Sequence, residues 1–160
     1  VLADEGDEVL IPSPYWVSYP EMVKLSGAKS KFIPTDAKTQ FKITSQQLSE
    51  CISDRTKILI LNSPSNPTGM VYSKSELEAI ARVCVKNQIY VISDDIYEKL
   101  IYDISEYTSI GSLGKDIYDL TITVNGVSKA YAMTGWRIGY CAGPKEIMEY
   151  IKKFQDLVKL

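Results

Sequence analysis

The sequence predicts an α/β fold built on a parallel sheet. Three short segments are interpreted as strands. Lys57–Leu61 is aliphatic, Tyr90–Ile92 is short and apolar, and Leu120–Val124 alternates branched residues. Continuous apolar strands are typical of a parallel sheet that is covered on both faces. A capping box, Ser73-Lys74-Ser75-Glu76, predicts the start of a helix between the first two strands. Strands that alternate with helices favour an α/β fold.

Two further strands and two short helices are expected before residue 57. Gly27 predicts the end of the first helix, and the capping box Thr44-Ser45-Gln46-Gln47 predicts the start of the second. In chain order, the predicted elements are strand Glu8–Ile11, which runs into a turn at Pro12-Ser13-Pro14, helix Ser18–Leu25, strand Lys31–Pro34 and a helix that ends near Ile52.

Two longer amphipathic helices are expected, one after Ser73 and one at the end of the chain. Gly143-Pro144 predicts the start of the last helix. Arg137–Cys141 is a further candidate strand, and Asp103–Lys115 is the most loop-like segment. Apolar residues recur three and four positions apart in both helices. They are Leu77, Ile80, Ala81 and Cys84 in the first helix, and Ile147, Tyr150, Ile151, Phe154 and Val158 in the last.

The composition argues against several kinds of chemistry. With 18 basic and 20 acidic residues, the chain has no excess positive charge for nucleic acid or an anionic membrane. Its three cysteines are far apart, so we expect neither a disulfide scaffold nor a metal site. Histidine is absent, which excludes Ser-His and Cys-His nucleophile pairs. No signal peptide is visible at the start, and we expect a cytoplasmic location.

Each of the three apolar strands runs into a distinctive group of polar residues. Asn66 follows the first strand, Asp94 and Tyr97 follow the second, and Lys129 follows the third. Because ligands bind outside the carboxyl ends of strands in open α/β sheets, we expect these side chains to converge on one edge. An amide, an acid, a phenol and an amine suit a cofactor with an aldehyde, a ring nitrogen and a phenolic oxygen. Arg137 could hold a phosphate.

Four segments resemble, in order and spacing, the motifs of class I/II aminotransferases, which depend on pyridoxal 5'-phosphate. The likeness is closest to the aspartate aminotransferase branch and covers nearly all 160 residues. The segments are Pro12-Ser13-Pro14-Tyr15-Trp16, Asn66-Pro67-Thr68-Gly69, Ser93-Asp94-Asp95-Ile96-Tyr97, and the stretch from Ser128 to Tyr140 that contains Lys129.

The resemblance implies a role in catalysis or cofactor binding for seven residues. Lys129 would form a Schiff base with pyridoxal phosphate and then act as general base and acid. Asp94 would pair with the pyridinium nitrogen and keep the ring an electron sink. Tyr97 and Asn66 would bind the phenolic oxygen, and Ser128 and Arg137 would bind the phosphate. Trp16 would stack on the ring, and Tyr15 is less favoured for that role. Asp95 is expected to be structural.

The resemblance also implies the architecture of the large catalytic domain of fold type I. That domain has three layers and a mostly parallel sheet with one antiparallel strand, which we assign to Arg137–Cys141. The chain opens with Val1 and closes inside a helical pattern, so we interpret residues 1–160 as the truncated central part of this domain. The Ser13–Pro14 and Asn66–Pro67 bonds are expected to be cis.

The expected reaction is amino-group transfer from an amino acid to a 2-oxo acid in a homodimeric parent protein. Aspartate and 2-oxoglutarate are the favoured substrates, and this piece alone could lack activity. Two alternatives stay open at this point. One is other chemistry with the same cofactor, as in a C–S lyase or an aminocyclopropane-forming synthase, and these share all four motifs. The other is a non-catalytic, aminotransferase-like sensor domain of a transcription regulator.

Overall fold

A computed structural model describes residues 1–102 and 106–158, which form one six-stranded sheet with helices on both faces. The order of the strands across the sheet is β2-β1-β3-β4-β5-β6. The strands are β1 (Glu8–Ser13), β2 (Lys29–Pro34), β3 (Thr56–Asn62), β4 (Tyr90–Asp94), β5 (Thr121–Gly126) and β6 (Gly139–Ala142). The helices are α1 (Ser18–Leu25), α2 (Ser45–Cys51), α3 (Lys74–Asn87), α4 (Lys115–Tyr118), α5 (Val127–Ala130) and α6 (Lys145–Val158).

The sheet confirms the predicted mixture of strand directions. Strands β1 to β5 pair in parallel, and β6 pairs antiparallel with β5 at the edge. The antiparallel strand begins at Gly139, two residues later than predicted, because the backbone of Arg137 is left-handed with φ 55°. A residue in that conformation cannot continue an extended strand.

One face of the sheet, here called the closed face, is covered by α2, α3 and α4. Successive side chains of a strand point to opposite faces of the sheet. On the closed face, all strand side chains that belong to the core are buried. Helix α3 contributes the predicted apolar stripe. The strand residues of this core are Leu10, Ile33, Leu59, Leu61 and Val91, and the α3 residues are Leu77, Ile80, Ala81 and Cys84.

The opposite face, here called the open face, is covered by α1 over part of its width. Tyr19 and Val23 of α1 pack on β1 and β3. Beyond α1, an apolar cleft of about 400 Å³ lies over β4, β5 and β6 and extends to Ile151 of α6. The strand residues that line this face are Val9, Ile58, Ile60, Ile92, Ile122, Val124 and Cys141.

The predicted helix starts are confirmed by side-chain caps. Thr44 and Ser73 each accept a hydrogen bond from the backbone three residues on, and Gln47 and Glu76 complete the two capping boxes. Such caps satisfy amide groups that have no partner inside the helix. Helix α1 spans the predicted Ser18–Leu25 but has no side-chain cap.

Several boundaries differ from the sequence prediction. Strand β1 runs on through Pro12 and Ser13, which pair with β2, so these two residues are not a turn. Within the segment expected to be loop, a 3-10 turn spans Ile110–Ser112 and α4 begins at Lys115, while residues 103–105 lie outside the described part. The Ser13–Pro14 and Asn66–Pro67 bonds are cis as expected, and Ser63–Pro64 is also cis. None of the helices in the described ranges combines the length and apolar character needed to cross a membrane.

Candidate functional site

The polar segments predicted to converge do follow three neighbouring parallel strands. In the register of the sheet, Asn62 at the end of β3 lies opposite Asp94 at the end of β4, and Asp94 lies opposite Val124 of β5. Their carboxyl ends therefore form one continuous edge. Asn66, Tyr97 and Lys129 lie in the segments that leave this edge.

Asn62 connects the loop that carries Asn66 to the end of β4. The Asn62 amide donates a hydrogen bond to the carbonyl oxygen of Asp94 at 2.8 Å. Its side-chain oxygen accepts the backbone N–H of Asn66 at 2.7 Å. The loop is closed further by the N–H of Gly69, which donates to the carbonyl of Ser65 at 2.7 Å. The sequence analysis missed Asn62, although a polar residue that ends an apolar strand is a signal that could have found it.

The Asp94 carboxylate is held at both of its oxygens. The Tyr19 hydroxyl donates a hydrogen bond to Oδ2, and the backbone N–H of Ile96 donates to Oδ1 at 3.3 Å. Tyr19 is 6% exposed. Burial, followed by the nearby Asp94 charge, raises the pKa of Tyr19, so its hydroxyl keeps the proton that it donates. Tyr19 was not among the predicted site residues, because 75 residues separate it from Asp94.

Alternation along β4 gives the two adjacent aspartates different environments. Asp94 points to the open face, where it meets Tyr19. Asp95 is 1% exposed and accepts the hydroxyl of Ser93 at 2.6 Å. Burial raises the pKa of Asp95. This enclosed carboxylate supports the structure, and Asp94 is the one that faces the open side.

Lys129 and Tyr97 are brought together across β4 and β5. The Lys129 Nζ lies 5.6 Å from the centroid of the Tyr97 ring, within the range of a cation–π contact. Lys129 is exposed on α5, which starts directly after β5.

Gly126, at the junction of β5 and α5, permits this close turn. A Cβ atom there would lie 2.9 Å from the carbonyl oxygen of Ile138 and 3.1 Å from Cδ1 of Ile96. The Val127 N–H donates to that same Ile138 carbonyl at 3.2 Å. A larger residue at position 126 would therefore displace the segment that carries Lys129.

The two predicted phosphate-binding residues are near each other in sequence but form no hydrogen bond with each other among the described residues. Ser128 is half-buried on α5. Arg137 is exposed, and its Nη1 donates to the carbonyl of Thr134 at 3.0 Å. The left-handed backbone of Arg137 turns the chain between a 3-10 turn at Thr134–Trp136 and β6. The guanidinium is accessible to an anion.

Tyr15 and Trp16, the two aromatic residues before α1, pack in different ways. Tyr15 stacks on Phe32 of β2 with a centroid distance of 4.9 Å and an angle of 12°, so one face of its ring is used in packing. Trp16 is exposed on one side and packs edge-on against Tyr19 at 5.5 Å. Trp16 thus lies on the open face beside the cleft that Asp94 also lines. This arrangement favours Trp16 over Tyr15 as a stacking surface.

A second cleft lies above the edge of the sheet, between the Asn66 loop and Tyr97. Its volume is about 310 Å³, which is in the lower range of small-molecule sites. Its lining combines proline rings and aromatic groups with the polar groups of Ser65 and Asn66. The cleft is formed by Pro64, Ser65, Asn66, Pro67, Gly69, Tyr97, Leu100 and Tyr102.

The donor set fits pyridoxal 5'-phosphate. A held carboxylate suits a protonated ring nitrogen, a phenol and an amide suit a phenolic oxygen, an exposed amine suits an aldehyde, and a guanidinium suits a phosphate. A three-layer α/β unit with these groups at the ends of its parallel strands is typical of the large domain of a pyridoxal-phosphate-dependent transferase.

Comparison with known proteins gives the family. The family model described as Aminotransferase class I and II matches residues 1–158. The chain is 53% identical to an aspartate aminotransferase of Bacillus sp. (strain YM-2) over 92% of its length, and 52% identical to one of Geobacillus stearothermophilus over 98%. It superposes on the crystal structure of an aspartate aminotransferase from Rhizobium meliloti with a TM-score of 0.95 at 41% identity, over 98% of this chain and 39% of that one.

The chain therefore belongs to the class I and II aminotransferases, and pyridoxal 5'-phosphate is the cofactor expected for a member. It spans 38% of the length of the Bacillus sp. relative and 39% of the length of the Geobacillus stearothermophilus relative. Other parts of those longer proteins have no counterpart in the 160 residues.

Proposed function

We propose that the protein that carries this chain transfers an amino group from an amino acid to a 2-oxo acid with bound pyridoxal phosphate. The observation that carries the proposal is the Lys129 amine 5.6 Å from the Tyr97 ring, beside the edge of the sheet where Asp94 ends the neighbouring strand β4. Aspartate and 2-oxoglutarate are the substrates that we propose. The names of the relatives support aspartate, and they support transamination over the lyase, synthase and sensor alternatives.

Pyridoxal phosphate, when bound, supplies an aldehyde that condenses with amines and a ring that accepts electrons. In this proposal Asp94 binds the proton on the ring nitrogen. Its two oxygens already accept hydrogen bonds from Tyr19 and Ile96, so the carboxylate is preorganised. Trp16, which is partly exposed on the open face, would supply an aromatic surface for stacking on the ring.

Asn66 and Tyr97 are proposed to bind the phenolic oxygen. Their side chains line the same cleft above the edge of the sheet. The hydrogen bond from the Asn66 backbone to Asn62 fixes the loop, so the Asn66 amide needs little further ordering when a ligand binds. Ser128 and Arg137 are proposed to bind the phosphate, with the exposed guanidinium as its charged partner.

Lys129 is proposed as the residue that would bond the cofactor aldehyde, and its amine, when free, would accept and return the proton that the reaction moves. An amine is suited to both tasks because it is a nucleophile when neutral and an acid when protonated. Its contact with the Tyr97 ring holds the amine beside a residue that is itself proposed to bind the phenolic oxygen.

We also propose a homodimer in the cytoplasm, and we propose that these 160 residues alone are inactive. The chain spans about two fifths of the length of its relatives, which supports a substrate site that needs residues outside these 160. The exposed apolar side chains of α6, such as Tyr150 and Phe154, support a further packing partner for this region.

A labelling experiment tests the proposal. Pyridoxal phosphate is added to the protein that carries this chain, the complex is reduced with borohydride, and the modified peptide is identified by mass spectrometry. We expect the label on Lys129, with none on the Lys129→Ala variant. Lys145→Ala, which changes an exposed lysine of α6, is the matched control and should label normally. A label on a different lysine of the folded wild-type protein would contradict the assignment.

A substrate assay tests the reaction class. The protein is supplied with aspartate and 2-oxoglutarate, and both the oxo-acid product and the amino-acid product are quantified. Equal amounts of the two products indicate transamination. A parallel assay supplies an S-alkylcysteine in place of aspartate. Conversion of that compound to an oxo acid, ammonia and a thiol, with no amino-group transfer from aspartate, would favour the lyase alternative.

A further inference from the structure

Tyr19 occupies a position between two of the proposed cofactor contacts. Its hydroxyl donates to Asp94 Oδ2, and its ring receives the edge of Trp16 at a centroid distance of 5.5 Å and an angle of 87°. One buried side chain of α1 therefore touches both the proposed partner of the ring nitrogen and the proposed stacking group.

The hydroxyl of Tyr19 has a fixed direction. The ring is 6% exposed and packs in the core of the open face with Val23 and Ile60, so it cannot turn away from Asp94. The hydroxyl keeps its proton because burial and the Asp94 charge raise the pKa of Tyr19. A carboxylate held in this way presents its remaining lone pairs in one orientation, and ordering costs are avoided when a ligand binds.

We propose that Tyr19 is a positioning residue that orients Asp94 toward the ring nitrogen of pyridoxal phosphate. This inference rests on the proposed function, because it assumes that Asp94 binds that nitrogen. Tyr19 touches no reacting atom in this arrangement. Its effect passes through the Asp94 carboxylate and is specific for ligands that have a ring nitrogen.

The test compares two ligands on the protein that carries this chain. The first is pyridoxal phosphate, and the second is its 1-deaza analogue, in which carbon replaces the ring nitrogen. Dissociation constants are measured by equilibrium dialysis for the wild type and for Tyr19→Phe, which removes one oxygen atom and keeps the ring against Trp16. We expect Tyr19→Phe to weaken pyridoxal phosphate roughly tenfold, the lower range for a hydrogen bond to a charged group. Binding of the deaza analogue should change by no more than about twofold.

Tyr72→Phe is the matched control. Tyr72 is also a buried tyrosine of the core, and its hydroxyl accepts the N–H of Ile43 at 2.9 Å on the closed face. The variant loses a buried hydroxyl that is bonded to the Ile43 backbone and not to Asp94, and it should bind both ligands as the wild type does. Thermal unfolding of both variants shows how much general stability each has lost.

Three results would overturn the inference. Equal weakening of both ligands by Tyr19→Phe would indicate general loosening of the fold, and unchanged binding of both would show that Tyr19 does not act on Asp94. In either case labelling of Lys129 in the wild type would leave the proposed function standing. Failure of the wild type to bind pyridoxal phosphate at all would overturn the proposed function and this inference together.

Discussion

The two faces of the sheet are built from the same kind of strand residues but are covered to different extents. On the closed face, three helices exclude water from Leu59, Leu61 and Val91. On the open face, α1 covers β1 and β3, while a cleft of about 400 Å³ remains over β4 to β6. The proposed cofactor contacts Trp16 and Asp94 lie at the end of this open face. The difference teaches that, within these residues, the closed face supplies the packed core, while the open face leaves Trp16 and Asp94 accessible.

The physical reason for the division is packing. A closed core gains free energy from every apolar group that it removes from water, but it leaves no room for a ligand. A site needs space and polar groups whose hydrogen bonds are only partly used. Asp94 and Asp95 illustrate both situations in adjacent residues, because Asp95 is buried against Ser93 while Asp94 faces the open side.

Substitution of one helix residue on each face should show the largest contrast. Leu77 of α3 is 1% exposed on the closed face, and Met22 of α1 is 52% exposed on the open face. Leu77→Ala should lower the free energy of unfolding by about 3 kcal/mol, because it leaves a cavity in a packed core. Met22→Ala should lower it by less than about 1 kcal/mol. Urea denaturation followed by circular dichroism measures both changes. Similar losses of unfolding free energy in the two variants would contradict the proposed difference between the two faces.

Substitutions at the residues that precede α3 and α1 should differ by a smaller amount in their effect on the free energy of unfolding. Ser73→Ala removes the cap of α3 and should cost about 1 kcal/mol. Val17→Ser should not create a cap for α1, because the backbone of Val17 is helical, with φ −54° and ψ −23°, and a capping residue needs an extended backbone. The same denaturation assay applies. A gain in stability from Val17→Ser would show that the start of α1 can rearrange.

The closed face should also lose stability in acid through Glu76. Burial opposes ionisation of this carboxyl, but the hydrogen bonds from Lys42 and from the Ser73 amide outweigh it and lower the pKa of Glu76. Because the folded-state pKa lies below the ordinary value of 4.5, the stabilisation is complete above that pH and is lost as the pH falls through the folded-state value. The pair is partly exposed, so the effect should be below about 1 kcal/mol.

Urea titrations of the wild type and Glu76→Gln between about pH 3 and 6 isolate this contribution. The difference in unfolding free energy between the two proteins should shrink as the pH falls. Glu78→Gln, on the same helix, serves as the control. A difference that stays constant over the whole range would show that the Glu76 charge has no part in the stability.

The smallest expected effect is on the open face itself. Val124 of β5 is 36% exposed and lines the apolar cleft. Val124→Thr keeps the shape of the side chain and should change the unfolding free energy by less than about 0.5 kcal/mol. It should lower binding of the dye anilinonaphthalene sulfonate, which reports exposed apolar surface. A loss of stability above this range would show that Val124 is packed against another group.

Much of the architecture was predictable from local sequence patterns. The stripe Leu77, Ile80, Ala81 and Cys84 is the buried face of α3, and both capping boxes mark the start of a helix. These features depend on contacts three or four residues apart, so a short stretch of sequence contains them in full. Strand ends were less predictable, because the pairing of Pro12 with Ile33 of β2 extends β1 and is not a local property.

The residues of the candidate site were predicted from motifs, but the residues that hold them in place were not. Asn66, Asp94, Tyr97 and Lys129 follow the ends of adjacent strands, as the order of the motifs predicted. The groups that hold them were missed: Asn62 joins the Asn66 loop to β4, and Tyr19 reaches Asp94 from α1. Such contacts join residues far apart in the chain, and no periodic pattern encodes them.

The sequence by itself predicted the six strands, the longer helices, the candidate site residues, and the family to which the chain belongs. Periodicity, caps and motifs are local, so they can be identified from the sequence alone. Only the tertiary structure decided which face of the sheet is closed, that Tyr19 holds the Asp94 carboxylate, and that Gly126 must lack a side chain beside Ile138. These outcomes depend on how distant elements pack, and packing is a property of the whole fold.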